Sequence, residues 1–313
     1  MRFWLAATAI GFTLSVSLPT AVAADNEPST ADQFYSRGYA RQKKDPQGAL
    51  ADFNRAIDLE LFHANTLWAR ASLYADLKRF EEAVADYTTY LEVQPGDYSA
   101  LFNRGLYRGY LKQYELSVAD YEDILDGDVD LSRFGGTKDQ ALAHAHHYRG
   151  KVYLYDLKQP RKAISDFDAC LRLDPTTEMV RYRRGTAWHE VGEYASAEAD
   201  YQEALKADPT YPNLLDARAW QMATCPDPAF RNGTLAVELS MKANDGHHWK
   251  IPEHVATLAA ALGERGDFDL AVEAQKKALA LLTKPDDRRR KMFEERLALY
   301  ERREPFREPR PDK

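Results

Sequence analysis

Apolar and small residues fall at i, i+4 and i+7 in five stretches of the chain. They are Ala49/Phe53/Ala56, Ala83/Tyr87/Tyr90, Ser117/Tyr121/Ile124, Ala163/Phe167/Cys170 and Ala197/Tyr201/Ala204. That spacing lines one face of an α-helix. Each stretch follows another centred on a small residue behind an arginine: Arg37-Gly38, Arg70-Ala71, Arg104-Gly105, Arg149-Gly150 and Arg184-Gly185. Glycine in a helix interior costs about 1 kcal/mol against alanine. Its recurrence at Gly38, Gly105, Gly150 and Gly185 therefore predicts a neighbouring helix too close for a Cβ. Short polar turns such as Leu77-Lys-Arg79 and Val191-Gly-Glu193 join the two halves. Pro95, Pro175 and Pro209 end three of the second halves, because proline cannot continue a helix. The predicted unit is a helical hairpin.

The hairpins keep a fixed period. An Asp precedes the central aromatic every time, at Asp52, Asp86, Asp120, Asp166 and Asp200. The steps are 34 residues except the third, which is 46 because about 12 residues are inserted around Gly127 to Lys138. A period of this size marks a copied and stacked supersecondary unit, hence an all-α architecture, an α-solenoid. Arg and Asp return together in all five units, which predicts pairing. Each of Arg37, Arg70, Arg104, Arg149 and Arg184 is expected to bond the Asp of its own hairpin or of the adjoining one; the alternative is that they face the groove and bind an acidic ligand. Guanidinium suits a carboxylate because its planar fork offers two parallel donors.

Over Asp32 to Tyr211 the Gly/Ala, aromatic, Ala and Pro positions of this two-helix pattern resemble the tetratricopeptide repeat (TPR) family. Five units lie at about 32–61, 64–97, 98–131, 142–177 and 178–211. Leu61 and Val129 stand where a closing proline is usual, and the turn Lys43 to Gly48 is one residue short. Residues 212–283 resemble two divergent hairpins of a bacterial module that ends such arrays. It is carried by Ala219-Trp220, Ala223-Thr-Cys-Pro-Asp-Pro228, Arg231-Asn-Gly233 and Thr257-Leu-Ala-Ala-Ala261. Residues 284–313 read as a capping helix and a proline-rich tail whose last nine residues are expected to be mobile. The resemblance implies a right-handed superhelix of about seven hairpins plus the cap. It also implies a concave groove, lined by the first helices, that takes peptides. Candidate groove residues stand three before and one after each small residue: Tyr35 and Tyr39, Trp68 and Ser72, Phe102 and Leu106, His147 and Lys151, Tyr182 and Thr186. This set is aromatic and lightly charged, unlike the Lys/Asn clamp with which co-chaperone members hold an acidic C-terminus; the alternative is that several of these rings pack between helices.

Residues 1–24 carry Arg2, an apolar run from Phe3 to Leu18 and Ala21-Val22-Ala23. That reads as a signal peptide cleaved after Ala23 or Ala24, giving a periplasmic or secreted protein with no membrane insertion afterwards. The net charge is −7, which argues against a nucleic-acid partner, since phosphate binding needs a basic face. The two cysteines, Cys170 and Cys225, belong to non-adjacent units and are expected to be buried, unpaired thiols.

Candidate chemistry is sparse. His144, His146 and His147 lack a carboxylate or Cys at ligand spacing. Asp126-Gly-Asp128-Val-Asp130 has Leu131 and Thr137 where a calcium loop needs Gly and Glu. No cofactor, metal or catalytic site is expected. The sequence reads as a non-enzymatic, exported scaffold holding a protein or peptide in an aromatic groove. The alternative is an assembly or oligomerisation factor acting through its end faces or the 127–138 insertion.

Overall fold

The computed structural model describes residues 27–284 and 288–310, so the segment read as a signal peptide lies outside the described residues. Within them are fifteen α-helices and no strand. None of these helices is long and apolar enough to cross a membrane. The architecture is an all-α solenoid of helical hairpins, divided into two compact units. The first holds the described residues up to Lys158 with Arg172–Asp174, and the second holds Gln159–Leu171 with those from Pro175.

In the first unit α1 (Ala31–Arg41) pairs with α2 (Pro46–Leu59), α3 (Ala64–Asp76) with α4 (Phe80–Val93), and α5 (Tyr98–Tyr110) with α6 (Tyr114–Asp126). α7 (Lys138–Lys151) follows the insertion and widens into one π-helical turn, Val152–Asp156. Local chemistry sets the helix starts. Thr30 and Gln33 form a reciprocal capping box on α1, as do Thr137 and Gln140 on α7. Asp45 and Asp97 cap α2 and α5. Within the second and third hairpins the turn places a lysine, Lys78 or Lys112, at positive φ. The next amide then reaches back over the helix end, with Arg79 N on Tyr74 O at 2.8 Å and Gln113 N on Arg108 O at 2.8 Å. These bonds satisfy carbonyls that the helix leaves open.

The helical faces read from the sequence are the buried ones. Ala49, Phe53, Ala83, Tyr87 and Tyr121 are at most 1% exposed. A Cβ on Gly38 would lie 2.7 Å from the Phe53 ring, and one on Gly105 would lie 3.1 Å from Asp120 Cβ. The close approach expected of these glycines is therefore real at both. Ala71 occupies the matching place in the second hairpin, fully buried.

The second unit contains most of α8 (Pro160–Leu173), then α9 (Glu178–Glu190), α10 (Tyr194–Ala207), α11 (Pro212–Thr224), α12 (Gly233–Gly246), α13 (Pro252–Arg265), α14 (Phe268–Ala280) and α15 (Arg289–Glu301). Successive hairpins are α9/α10, α11/α12 and α13/α14. Cys225 is buried in the proline-containing loop between α11 and α12, and Cys170 is buried on α8. Arg231 closes that loop by donating to the carbonyl of Cys225 at 2.9 Å, while Asn232 N bonds Met222 O at 2.9 Å. α15 caps the unit through Phe293, packed with Val255, Ala256 and Ala278.

The tail departs from expectation. The last nine residues are expected to be mobile, but residues 305–308 return along α11 and pack there, because Glu308 meets Trp220 and His189 and Phe306 an aromatic partner, while Pro309 and Arg310 are exposed.

Candidate functional site

Four of the recurring Arg–Asp pairs meet inside their own hairpins. Arg70 forks onto Asp86 with Nε–Oδ2 at 2.7 Å and Nη2–Oδ1 at 2.6 Å, and Arg184 forks onto Asp200 at 2.8 and 2.6 Å. Arg37 reaches Asp52 at 2.7 Å through Nη2. Arg104 places Nε and Nη2 on one oxygen of Asp120, at 2.9 and 2.6 Å, where Arg108 joins at 2.7 Å. Arg149 belongs to the first unit, where it stands 3.7 Å from Glu122, and the buried Asp166 belongs to the second.

The spare Nη1 extends the ladder between hairpins. That of Arg70 donates to Asn54 at 2.7 Å and that of Arg184 to Asp168 at 2.6 Å. Asn54, Glu122 and Asp168 each stand two residues after a ladder Asp.

Burial lifts Asp86 and Asp120 above the ordinary carboxylate value even against their arginines. Arg70 moves the other way in energetic terms. Burial alone would lower it, yet the Asp86 carboxylate raises it. The more enclosed partner carries the desolvation cost.

On the first helices of the first unit, the predicted groove residues are half-buried except Tyr39, which is 57% exposed. Tyr35 lies among Tyr39, Phe53 and His63, at 5.9, 6.3 and 5.8 Å between ring centroids. Trp68 packs edge-on to Tyr87 and Tyr90 at 5.3 and 5.5 Å. Phe102 sits among Tyr98, Tyr121 and Tyr148, the last at 4.9 Å. His147 is 5.3 Å from Tyr148 and Lys151 covers that same ring at 4.3 Å. Ser72 Oγ meets Tyr87 Oη at 3.2 Å, and Leu106 is half-buried.

The insertion lies on this face. Asp130 exchanges backbone bonds with the α4–α5 loop, its N–H on Gly96 O at 2.7 Å and its carbonyl accepting from Tyr98 N at 3.1 Å. Arg133 then stacks over Trp68 at 4.9 Å, donates to Tyr90 Oη at 3.2 Å and pairs with Asp97 at 3.2 Å. Phe134 is buried, edge-on to Tyr98 at 4.7 Å and His144 at 5.6 Å. Burial lowers the His144 imidazole below its usual value. Among the described residues no three His, Cys, Asp or Glu side chains converge as metal ligands would.

In the second unit, Tyr182 is half-buried and edge-on to Tyr211 at 5.8 Å, and the Thr186 hydroxyl donates to Tyr182 O at 3.2 Å. Further along, the face is occupied by the tail. Glu308 accepts from Trp220 Nε1 at 2.7 Å, stands 2.7 Å from His189 Nε2 and lies 3.3 Å from Thr224 Oγ1, whose hydroxyl donates to Trp220 O at 2.8 Å. Its own N–H donates to Thr224 O at 3.0 Å. Arg307 pairs with Glu264 and donates to Ala223 O at 3.3 Å. The Arg296 guanidinium lies 4.5 Å from both the Trp220 and Phe306 rings. Burial would depress His189 and elevate Glu308. Their mutual bond outweighs it, so His189 is raised and Glu308 lowered.

Sequence reasoning missed this cluster. His189 and Trp220 sit four residues after Gly185 and one after Ala219, on the helix face already assigned to the groove. The tail offered one signal, Phe306-Arg-Glu308 between Pro305 and Pro309.

A family model described as the tetratricopeptide repeat matches residues 68–128 and 152–212. No curated protein sequence matches the chain. Among solved structures, a tetratricopeptide repeat protein from Parabacteroides merdae aligns at TM-score 0.58 and 16% identity, over 87% of this chain and 98% of its own. PilF from Pseudomonas aeruginosa aligns at 0.51 and 16%, over 70% and 92%. A MamA protein aligns at 0.50 and 15%, over 57% and 92%. At these identities the likeness concerns the fold.

Proposed function

We propose that this chain, which is a tetratricopeptide-repeat protein, serves as a non-enzymatic exported scaffold that holds a protein or peptide on its first-helix face. One observation carries the reading. In each unit that face already accepts irregular chain: residues 130–134 lie against α3 and α5, and residues 306–308 lie against α9 and α11. A surface that satisfies an irregular segment through side-chain pockets and a few backbone bonds is suited to a peptide, because aromatic anchors add contact at low ordering cost. The 127–138 insertion, the alternative docking element, spends Arg133 and Phe134 on its own unit.

The export signal in residues 1–24 and the bacterial character of the 212–283 module support a periplasmic site of action. Mass spectrometry of the purified native protein should find Ala24 or Asp25 as its first residue. Capture from a periplasmic extract, compared between the wild type and a Tyr39→Ala/Trp68→Ala variant, tests the binding face. Loss of the captured partner is expected. Equal capture by both proteins would remove the first unit's face from the interaction.

A further inference from the structure

The second unit holds its own tail as a receptor holds a ligand. Three consecutive residues are each read by a different chemistry. Phe306 packs on Trp220, with the buried Arg296 guanidinium 4.5 Å from both rings. Arg307 pairs with Glu264 and reaches the Ala223 carbonyl. Glu308 is enclosed by His189, Trp220 and Thr224. The receptor side is buried and hydrogen-bonded: Thr224 and Gln221 are at most 1% exposed, and Gln221 Oε1 stands 3.2 Å from His189 Nδ1, which orients the imidazole. Pro305 and Pro309 bracket the triplet and limit the freedom it loses on docking.

We propose that this surface is a tripeptide-reading site for an aromatic–basic–acidic sequence, and that residues 305–310 are its cis occupant, displaced by a partner segment of the same chemistry. This rests on the first-helix face being the binding face, and it adds a ligand class and a competitor. A purely structural tail would need only apolar cover. Here a charged Glu308 is brought to a side-chain exposure of 27% and given three side-chain partners, a recognition pattern with residue-by-residue specificity. Tethering by the few residues after α15 gives the tail an effective concentration in the millimolar range, so a partner must outcompete it.

The test uses the full chain and a fluorescent synthetic peptide of residues 304–310, Glu-Pro-Phe-Arg-Glu-Pro-Arg. In the Phe306→Ala/Glu308→Ala protein the site is released, and fluorescence anisotropy should show saturable peptide binding. The wild-type chain should bind at least about tenfold more weakly, because the tethered tail competes. Adding Trp220→Ala to the released protein, or using a peptide with Ala at the Glu308 position, should abolish binding.

A released protein with wild-type far-ultraviolet circular dichroism that does not bind the peptide would overturn the proposal. So would equal binding by released and wild-type chains. A wild-type dimer on size exclusion that Phe306→Ala/Glu308→Ala dissociates would overturn cis occupancy in favour of exchange between copies. Partner capture that depends on Tyr39 and Trp68 is unaffected by any of these failures, which separates them from failure of the scaffold reading.

Discussion

Replacing Arg70 with Met should strand Asp86, and the structure sets the size of the loss. The Asp86 side chain is 7% exposed and Arg70 is 17% exposed, joined by two short bonds in a fork. Removing one partner of such a pair costs about 3–5 kcal/mol. Arg70 keeps some access to water, which places the expected loss near 3 kcal/mol. Arg79–Glu82 in the same hairpin is the control. Both side chains are about 40% exposed, so Arg79→Met should leave stability nearly unchanged.

The double variant Arg70→Met/Asp86→Leu should recover most of the stability, because apolar groups of similar volume often replace a buried pair without loss. The pH dependence gives a second readout. Asp86 is already raised by burial, so the unfolded chain gives up this proton first and stability falls as pH rises from 3.8 through the folded value. Without Arg70 that value climbs, and the variant should be weaker at about pH 8 than at about pH 5 relative to wild type. Urea denaturation followed by far-ultraviolet circular dichroism, analysed with nearest-neighbour coupling, measures both. A loss under about 1 kcal/mol at both pH values, or a double variant equal to the sum of the singles, would refute the buried-pair account.

Three further outcomes follow from single groups. Gly185→Ala should lose about 1 kcal/mol, since the new methyl sits 2.8 Å from the Tyr201 ring and overpacking outweighs the helix-propensity gain. Gly109→Ala, with its nearest contact 3.7 Å away at Ser117 Oγ, should instead gain about 0.5–1 kcal/mol in the same urea assay. Burial pushes the Asp216 carboxyl up to about 7, and its Oδ1 has no hydrogen-bond partner among the described residues. Wild-type stability should therefore decline between pH 3.8 and about 7, by on the order of 4 kcal/mol from this group, and Asp216→Asn should flatten that decline. For tail docking, the raised His189 contributes fully below its ordinary 6.5 and the lowered Glu308 fully above its ordinary 4.5. Peptide affinity for the released protein should peak between those values and fall on either side, with Glu190 and Arg296 as the other charges near the pair. A flat affinity from about pH 4 to 8 would show that the ion pair does not hold the tail.

What could be read from sequence divides along physical lines. The hairpins were legible because a helix repeats its facing every three to four residues, and because the buried aromatics recur 34 residues apart from Phe53 to Tyr87 to Tyr121 and again from Phe167 to Tyr201. The pairing of Arg70 with Asp86 was legible by co-occurrence. Its extension to Asn54 was not, since the receiving residue changes from Asn54 to Glu122 to Asp168 and shows no repeated identity. Residues 130–134 and 305–310 were illegible for a different reason: irregular chain has no period, and each segment announces itself only by one aromatic, Phe134 or Phe306. Position on the groove face could be assigned to Trp68 and Phe102, but exposure could not, because Arg133 covers Trp68 from the far end of the insertion. Where a face is covered by its own chain, the exposure of its rings understates what it can bind. A partner's apparent affinity is its intrinsic affinity divided between itself and a tethered competitor. Under the proposed reading, changes at Arg133, Phe306 or Glu308 should tune binding as strongly as changes in the groove itself.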